Sequence, residues 1–225
     1  MKTLSTLLTT LALLFSPVSL ATSKSDQDLQ INFRNIDKDE RTDDQVSGFG
    51  VAYNYKLIPT MQISFSYIRD NWNNDFSNTA AFGENNSTLE NYSLGVDYEL
   101  LRFKNTGWHV LASAGVNFHN YKYTSNVDYT NGEPVYKSPF FEDNDSDLEY
   151  KLGIANDYHQ FQYGAYAGSS IYGKYIGGHL SYDFGRWKVK SELRSFTSDI
   201  PNPQTVKDSI FNATHSSQIS LIYSF

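Results

Sequence analysis

Trp108-His109-Val110-Leu111-Ala112-Ser113-Ala114-Gly115-Val116-Asn117-Phe118-His119 decides the fold. Trp108, Val110, Ala112, Ala114, Val116 and Phe118 are apolar, and the interleaved positions are mostly polar or small. An apolar residue at every second position belongs to a strand with one greasy face, because successive side chains of a strand point to opposite sides. A helix needs apolar residues three and four apart, and that spacing is nearly absent beyond the first twenty residues.

The same alternation continues in both directions. It recurs at Tyr92, Leu94, Val96, Tyr98 and Leu100, at Ile176, Gly178, Leu180, Tyr182 and Phe184, and at Met61, Ile63, Phe65 and Tyr67. Phe49, Val51, Tyr53 and Tyr55 repeat it, as do Leu29, Ile31 and Phe33 near the start. The links between these runs sort by length. Short ones at 57–60, 102–107 and 185–186 alternate with long polar ones at 37–46, 71–89, 125–146 and 197–213. A soluble sandwich has no reason to sort its loops by parity, whereas a barrel in the bacterial outer membrane has tight periplasmic turns and long outer loops. The expected fold is all-β, a transmembrane antiparallel up-and-down barrel.

Composition agrees. The chain of 225 residues carries 17 Tyr and 15 Phe, yet only 40% of it is hydrophobic and the mean hydropathy is −0.49. A membrane barrel reconciles these figures by displaying aromatics outward and filling its centre with polar groups. Twenty-five acidic against 18 basic side chains exclude nucleic-acid binding through a general positive field. There is no Cys, so no disulfide contributes to stability. Met1-Lys2-Thr3, the apolar run Leu4 to Phe15 and the small residues of Ser19-Leu20-Ala21 read as a signal peptide over 1–21, cleaved after Ala21. That run is too short to span a bilayer as a helix. The barrel then occupies 22–225.

The strand count depends on residues 146–175. Leu148, Tyr150, Leu152 and Ile154 alternate, followed by Phe161, Tyr163, Ala165, Ala167 and Ile171. Two spanning strands joined by a tight outer turn at Gly173-Lys174 give ten strands; a hairpin standing above the membrane gives eight. The apolar band of both stretches supports ten.

Charges fall on the face opposite the apolar stripes: Arg34, Lys56, Asp97, Glu99, Glu149, Lys151 and Asp183, with Lys188, Lys190, Glu192 and Arg194 from one strand. A basic side chain facing lipid at the midplane costs about 2–4 kcal/mol, so these belong in the lumen. They read as a salt-bridged plug, because side chains fill the bore of so small a barrel. A narrow porin-like channel is the alternative, helped by glycines at 48, 50, 95, 115, 164, 168 and 177.

The final residues place Ile219, Leu221, Tyr223 and the terminal Phe225 on one face. This resembles the carboxyl-terminal signal read by the barrel assembly machinery of the outer membrane. Gly48-Phe49-Gly50-Val51-Ala52-Tyr53-Asn54-Tyr55 and Ala112-Ser113-Ala114-Gly115-Val116-Asn117-Phe118 are similar to strands of the OmpX and Ail attachment family and its OmpA-like relatives. The resemblance covers about half the mature chain and implies an outer-membrane location.

Chemistry in the sequence is sparse. His215-Ser216-Ser217 loosely resembles the His-x-Ser of lipid A deacylases, with Gln218 where that family has Asn and with no acidic partner that the sequence names. None of His109, His119, His159 or His179 has an Asp beside it that fixes an acid–base geometry. Glu142-Asp143-Asn144-Asp145-Ser146-Asp147 lacks the Gly and distal Glu of a calcium loop and reads as a solvated acidic loop. Trp72, Phe76, Phe82, Tyr129, Tyr136, Phe140 and Phe141, set among small polar residues, suit either a recognition surface or an interfacial girdle. The expected function is a non-enzymatic, monomeric barrel with recognition or adhesion loops and a structural role in the envelope. No cofactor or metal is expected. The expected partners are outer-membrane lipid and lipopolysaccharide, the assembly machinery and a ligand at the outer loops.

Overall fold

The structure, a computed structural model, describes residues 26–38, 45–77, 81–129, 136–137, 141–170, 172–197 and 213–225. The expected signal peptide lies outside the described residues, as do Phe140 and Ile171. The strands are β1 (Gln27–Lys38), β2 (Gln45–Ile58), β3 (Met61–Ser77), β4 (Ala81–Arg102), β5 (Trp108–Tyr129), β6 (Tyr136–Lys137), β7 (Phe141–Tyr158), β8 (Phe161–Ser170), β9 (Gly173–Asp183), β10 (Trp187–Thr197) and β11 (Ala213–Ser224). Each strand except β6 pairs antiparallel with its neighbours in chain order, and β1 pairs with β11. Ten strands therefore close a barrel, as the apolar bands of β7 and β8 lead one to expect. The two-residue β6 only borders β5, at Asn126 and Val127.

Side-chain exposure follows the alternation read from the sequence. Phe33, Phe65, Leu94, Phe118, Leu152, Leu180, Leu193 and Ile219 all lie exposed on the outer wall. Aromatics gather at its periplasmic edge, where Trp108 meets Tyr163 (centroids 5.8 Å apart), Phe161 meets Tyr182 (4.9 Å), and Trp187 meets Tyr223 (4.7 Å). Rings that are apolar with a polar tip favour that interface. Of the carboxyl-terminal residues, Ile219 and Phe225 are exposed on this wall, and Leu221 and Tyr223 share their face. Phe225 donates its amide to the Gln27 carbonyl, which ties the two chain ends of the barrel together.

Two expectations need correction. Residues 71–89 and 125–146 are not loops for most of their length: β3 pairs with β4 as far as Ser77 and Phe82, and β5 with β7 as far as Tyr123 and Phe141. Trp72, Phe76, Phe82, Tyr129, Tyr136 and Phe141 thus stand on strands, and so does the acidic run Glu142 to Asp147. Above a membrane both faces of a sheet meet water, so the sequence has no apolar stripe there to betray a strand. Secondly, β8 ends at Ser170 and Gly173 begins β9 with φ +103°, so Gly173 and Lys174 belong to a strand and not to the turn. Glycine is the residue that adopts this conformation without penalty.

Strand length is uneven around the barrel. β4 and β5 have 22 residues each, whereas β8, β9 and β10 have 10 to 11. A tilted strand crosses the hydrocarbon in about 9–11 residues, so β3, β4, β5 and β7 continue as a sheet that stands above the outer rim. The lipid-facing assignment predicts that Leu180→Arg, near the middle of the outer wall, lowers unfolding free energy by about 2–4 kcal/mol in urea titrations in lipid vesicles, while Leu180→Met changes it by less than about 1.5 kcal/mol.

Candidate functional site

The inner wall holds the densest polar chemistry in the molecule, and register explains how it is assembled. Arg34 on β1, Gly48 on β2 and Asp70 on β3 lie in one row of the sheet. Arg34 donates through Nε to Asp70 Oδ1 at 3.2 Å and through Nη2 to Oδ2, reaching over Gly48. A Cβ on Gly48 would fall 2.0 Å from Asp70 Oδ1, so only glycine lets this pair close. Asp70 is wholly buried, and Tyr172 donates its hydroxyl to Oδ2 at 3.4 Å. The Arg34 guanidinium in turn lies 5.8 Å from the Tyr172 ring centroid.

A second network runs from β10 to β7. Glu192, also buried, accepts from Lys190 at 2.7 Å and from Arg194 at 2.7 Å. Arg194 continues to Glu149 at 3.2 Å, Tyr175 donates to the same carboxylate at 2.9 Å, and the guanidinium stacks 4.9 Å from the Tyr175 ring. Lys151 sits 5.3 Å from the Tyr166 ring, which lies against Gly177, where a Cβ would meet the ring at 2.7 Å. Beside them Gln30, Asn32, Gln218 and Ser220 form a neutral cluster around Asn32 Oδ1.

Of the residues expected to line a charged lumen, Arg34, Glu149, Lys151, Lys190, Glu192 and Arg194 lie in or beside these networks. Arg34, Glu192 and Arg194 border one hollow with Ile36, Tyr172, Phe196, Ser216 and Gln218, whose volume is about 10 Å³. That is room for about one water molecule. The other five lie towards the periplasm. Glu99 pairs with Arg102 (2.6 Å), which also holds Asp157 (3.0 Å); Asp97 accepts from Ser113, and Asp183 caps the turn amide of Gly185. Lys56 and Lys188 stand on the periplasmic parts of β2 and β10, and no ion pair joins them to the outer networks among the described residues.

Sequence reasoning missed several members. Asp70 falls between the alternating run that ends at Tyr67 and the link expected from 71, and alternation carried one step past Tyr67 and Arg69 puts it inward. Tyr121, Tyr166, Tyr172 and Tyr175 are buried rather than lipid-facing; for Tyr166 the glycines opposite it, Gly153 and Gly177, and for Tyr175 the opposite Gly168 were the available signal. His119 does have an acidic partner: its Nε2 bonds Asp147 from the run read as a loop. His109 lies 3.7 Å from Asp157. At the outer end Ile36, Val46, Leu89, Tyr121 and Tyr172 form a buried apolar cluster with Phe196 against it.

No family model matches the sequence, and a search of curated proteins finds no match. Solved structures do match. The translocator domain of the autotransporter NalP from Neisseria meningitidis superposes with a TM-score of 0.52 at 10% identity, over 100% of this chain and 98% of that one. The attachment invasion locus protein Ail of Yersinia pestis, in complex with the heparin analogue sucrose octasulfate, gives 0.39 at 11% identity over 91% and 99%. Neisserial surface protein A gives 0.37 at 12% identity over 91% and 100%. The fold is that of the outer-membrane β-barrels.

Breaking a buried ion pair from one side strands the other charge, at a cost of about 3–5 kcal/mol. Arg34→Ala is expected to destabilise the barrel by that amount, and Arg34→Met combined with Asp70→Leu by much less. Equilibrium unfolding of both variants checks the difference.

Proposed function

We propose that this protein is an exported outer-membrane barrel whose body is a closed, non-conducting plug and whose tall outer wall is a contact surface. The observation that carries the reading is the uneven strand length: β4 and β5 are twice as long as β8 to β10, on the side where loops face outward. A strand built only to cross lipid has no use for the additional residues. Two further features support it. Among the described residues the charge networks border a hollow of only about 10 Å³, and an apolar cluster lies over their outer end.

Export by the segment 1–21, insertion through the assembly machinery by way of Ile219, Leu221, Tyr223 and Phe225, and residence among lipopolysaccharide complete this reading. The protein acts as a monomer and structural element of the envelope. Its upper sheet, rich in Asn and Asp with interspersed aromatics, meets a surface or soluble ligand outside the cell. Aromatic rings among small polar side chains provide contact area with adaptable hydrogen bonding.

Two measurements test this. In planar bilayers the refolded protein is expected to give no steady single-channel steps; regular steps whose ion selectivity changes in Lys190→Glu would establish the narrow channel instead. Replacing residues 72–86 by a short turn is expected to abolish adhesion of expressing cells to surfaces while leaving the heat-modifiable band of the folded barrel intact. Unchanged adhesion would exclude the upper wall as the contact surface.

A further inference from the structure

The rings of the tall wall change faces where the lipid-facing part ends. Within that part Tyr67 on β3, Tyr92 on β4 and Phe118 on β5 occupy the outer face, next to one another in register. Higher up, pairing puts Trp72, Ser87, Tyr123 and Phe141 in one row and Phe76, Gly83, Val127 and Tyr136 in another. These positions lie an even number of residues from Asp70, Leu89 and Tyr121, which are buried on the lumen side, so both rows belong to the inner face. The outer face of the same strands is polar: Asn71, Thr88, Lys122 and Glu142 form one row, and Asn73, Asn86 and Thr124 the next. Along each strand the rings are interrupted, by Asn74, Asn85 or Ser125, and only the register aligns them.

Charge is divided between the faces as well. The inner positions of β7 below Phe141 are Asp143, Asp145 and Asp147, with Asp143 opposite Tyr121 and Asp145 opposite His119. From that level upward no Lys or Arg occupies an inner position of β3, β4, β5 or β7 among the described residues; Lys122 and Lys137 both fall on the outer face. The base of the acid row is held in place. His119, 3% exposed, bonds Asp147 Oδ1 through Nε2, and the hydroxyls of Ser87 and Tyr121 meet at 3.2 Å. Two acceptors there are without a donor: Asp147 Oδ2 and, with the ring proton on Nε2, His119 Nδ1, both closed to solvent and lacking a hydrogen-bond partner among the described residues. Buried polar atoms are rarely left so. β8 pairs with β7 only as far up as Tyr150, so the acid row borders an open side of the wall among the described residues.

We propose that the inner face of the tall wall binds a polypeptide segment that carries Lys or Arg among apolar residues. The face supplies what such a segment lacks, carboxylates for its cations and rings for its cations and apolar side chains alike. A cation over Tyr123 and Phe141 stands one inner position from Asp143, about 7 Å along the strand. An anionic polysaccharide would meet only like charge there. A neutral glycan would cover the acid row without pairing it, which costs free energy.

The inference rests on the reading of the tall wall as a contact surface and names the partner of that surface. The test uses full-length protein refolded in phosphatidylcholine vesicles, with protein-free vesicles as blank and the heat-modifiable band as the check on folding. Three probes are titrated by calorimetry: a peptide of alternating Arg and Leu, its counterpart of alternating Glu and Leu, and maltohexaose. Only the basic peptide is expected to bind. Asp143→Asn with Asp145→Asn is expected to weaken it about tenfold, whereas Glu84→Gln with Glu142→Gln, which removes the same charge from the outer face, changes affinity less than about twofold. Trp72→Ala and Tyr123→Ala weaken binding too, and Trp72→Phe and Tyr123→Phe restore most of it. Equal losses in the two double variants would mean that charge anywhere on the wall attracts the peptide, and would overturn the proposal. Folded wild type that binds no basic peptide, or binds the acidic peptide or maltohexaose as tightly, overturns it as well. Cells whose adhesion depends on residues 72–86 but whose purified barrel ignores the basic peptide would refute this inference alone; adhesion independent of 72–86 refutes the contact surface itself.

Discussion

Backbone hydrogen bonding in a medium without water is the constraint on which the rest of this structure depends. An unpaired amide or carbonyl facing hydrocarbon costs several kcal/mol, so a sheet in a bilayer has to close on itself. Here closure is the pairing of β1 with β11, a continuous register from Asp28 with Ser224 up to Asp37 with His215. That register is fixed by the two faces at once. A slip of one residue would turn Phe33 and Ile219 into the lumen and bring Asn32 and Ser220 out to lipid. The neutral cluster around Asn32 and the placement of Asp37 beside His215 are both consequences of this seam.

Inside, a narrow lumen has to be filled, and it is filled with polar groups because the outside claims the apolar ones. The mode of filling follows from the glycines. Gly48 lets an Arg–Asp pair close across an intervening strand, and Gly177 leaves its surface to the ring of Tyr166. Removing a Cβ from one strand makes room for a long side chain from the next. The ion pairs that result are not a large source of stability, since desolvation offsets most of their attraction. They satisfy one another in a space where any unpaired member would be costly, and the pairing pins neighbouring strands in one register.

The spanning part of the fold was legible in the sequence for a simple reason: lipid on one side and polar filling on the other impose strict alternation, as in Trp108 to Phe118 or Ile176 to Phe184. Even the two strands at 146–175 could be recognised from their apolar stripe. Legibility stopped where the lipid stopped. From Asn71 to Leu89 both faces of the sheet are outside the membrane, no stripe exists, and Asn-rich strand looks like Asn-rich loop. Within the lumen, alternation identified which residues point inward but not which meet. Arg34 and Glu192 were found as inward charges; Asp70 was missed because the named alternating run stops at Tyr67, and the His119–Asp147 pair because Asp147 closes a run read as loop. The four buried tyrosines were hidden by an averaging assumption that aromatics in a membrane barrel face lipid.

The molecule therefore divides along two axes. Inside against outside separates a filled, hydrogen-bonded lumen from a greasy wall, and that division is complete through the membrane. From bottom to top the wall changes: Phe161 with Tyr182 and Trp187 with Tyr223 ring its periplasmic edge, Phe33 with Phe49 and Tyr67 with Tyr92 ring its upper edge, and above these stand exposed polar residues, Arg69, Asn71 and His215 among them. Aromatic rings at both edges suit a wall that sits in lipid. The polar outer edge instead faces the headgroup and sugar layer, where charged and hydrogen-bonding groups have partners. At the outer rim the wall thus meets the membrane with hydrogen-bonding groups as well as with apolar ones.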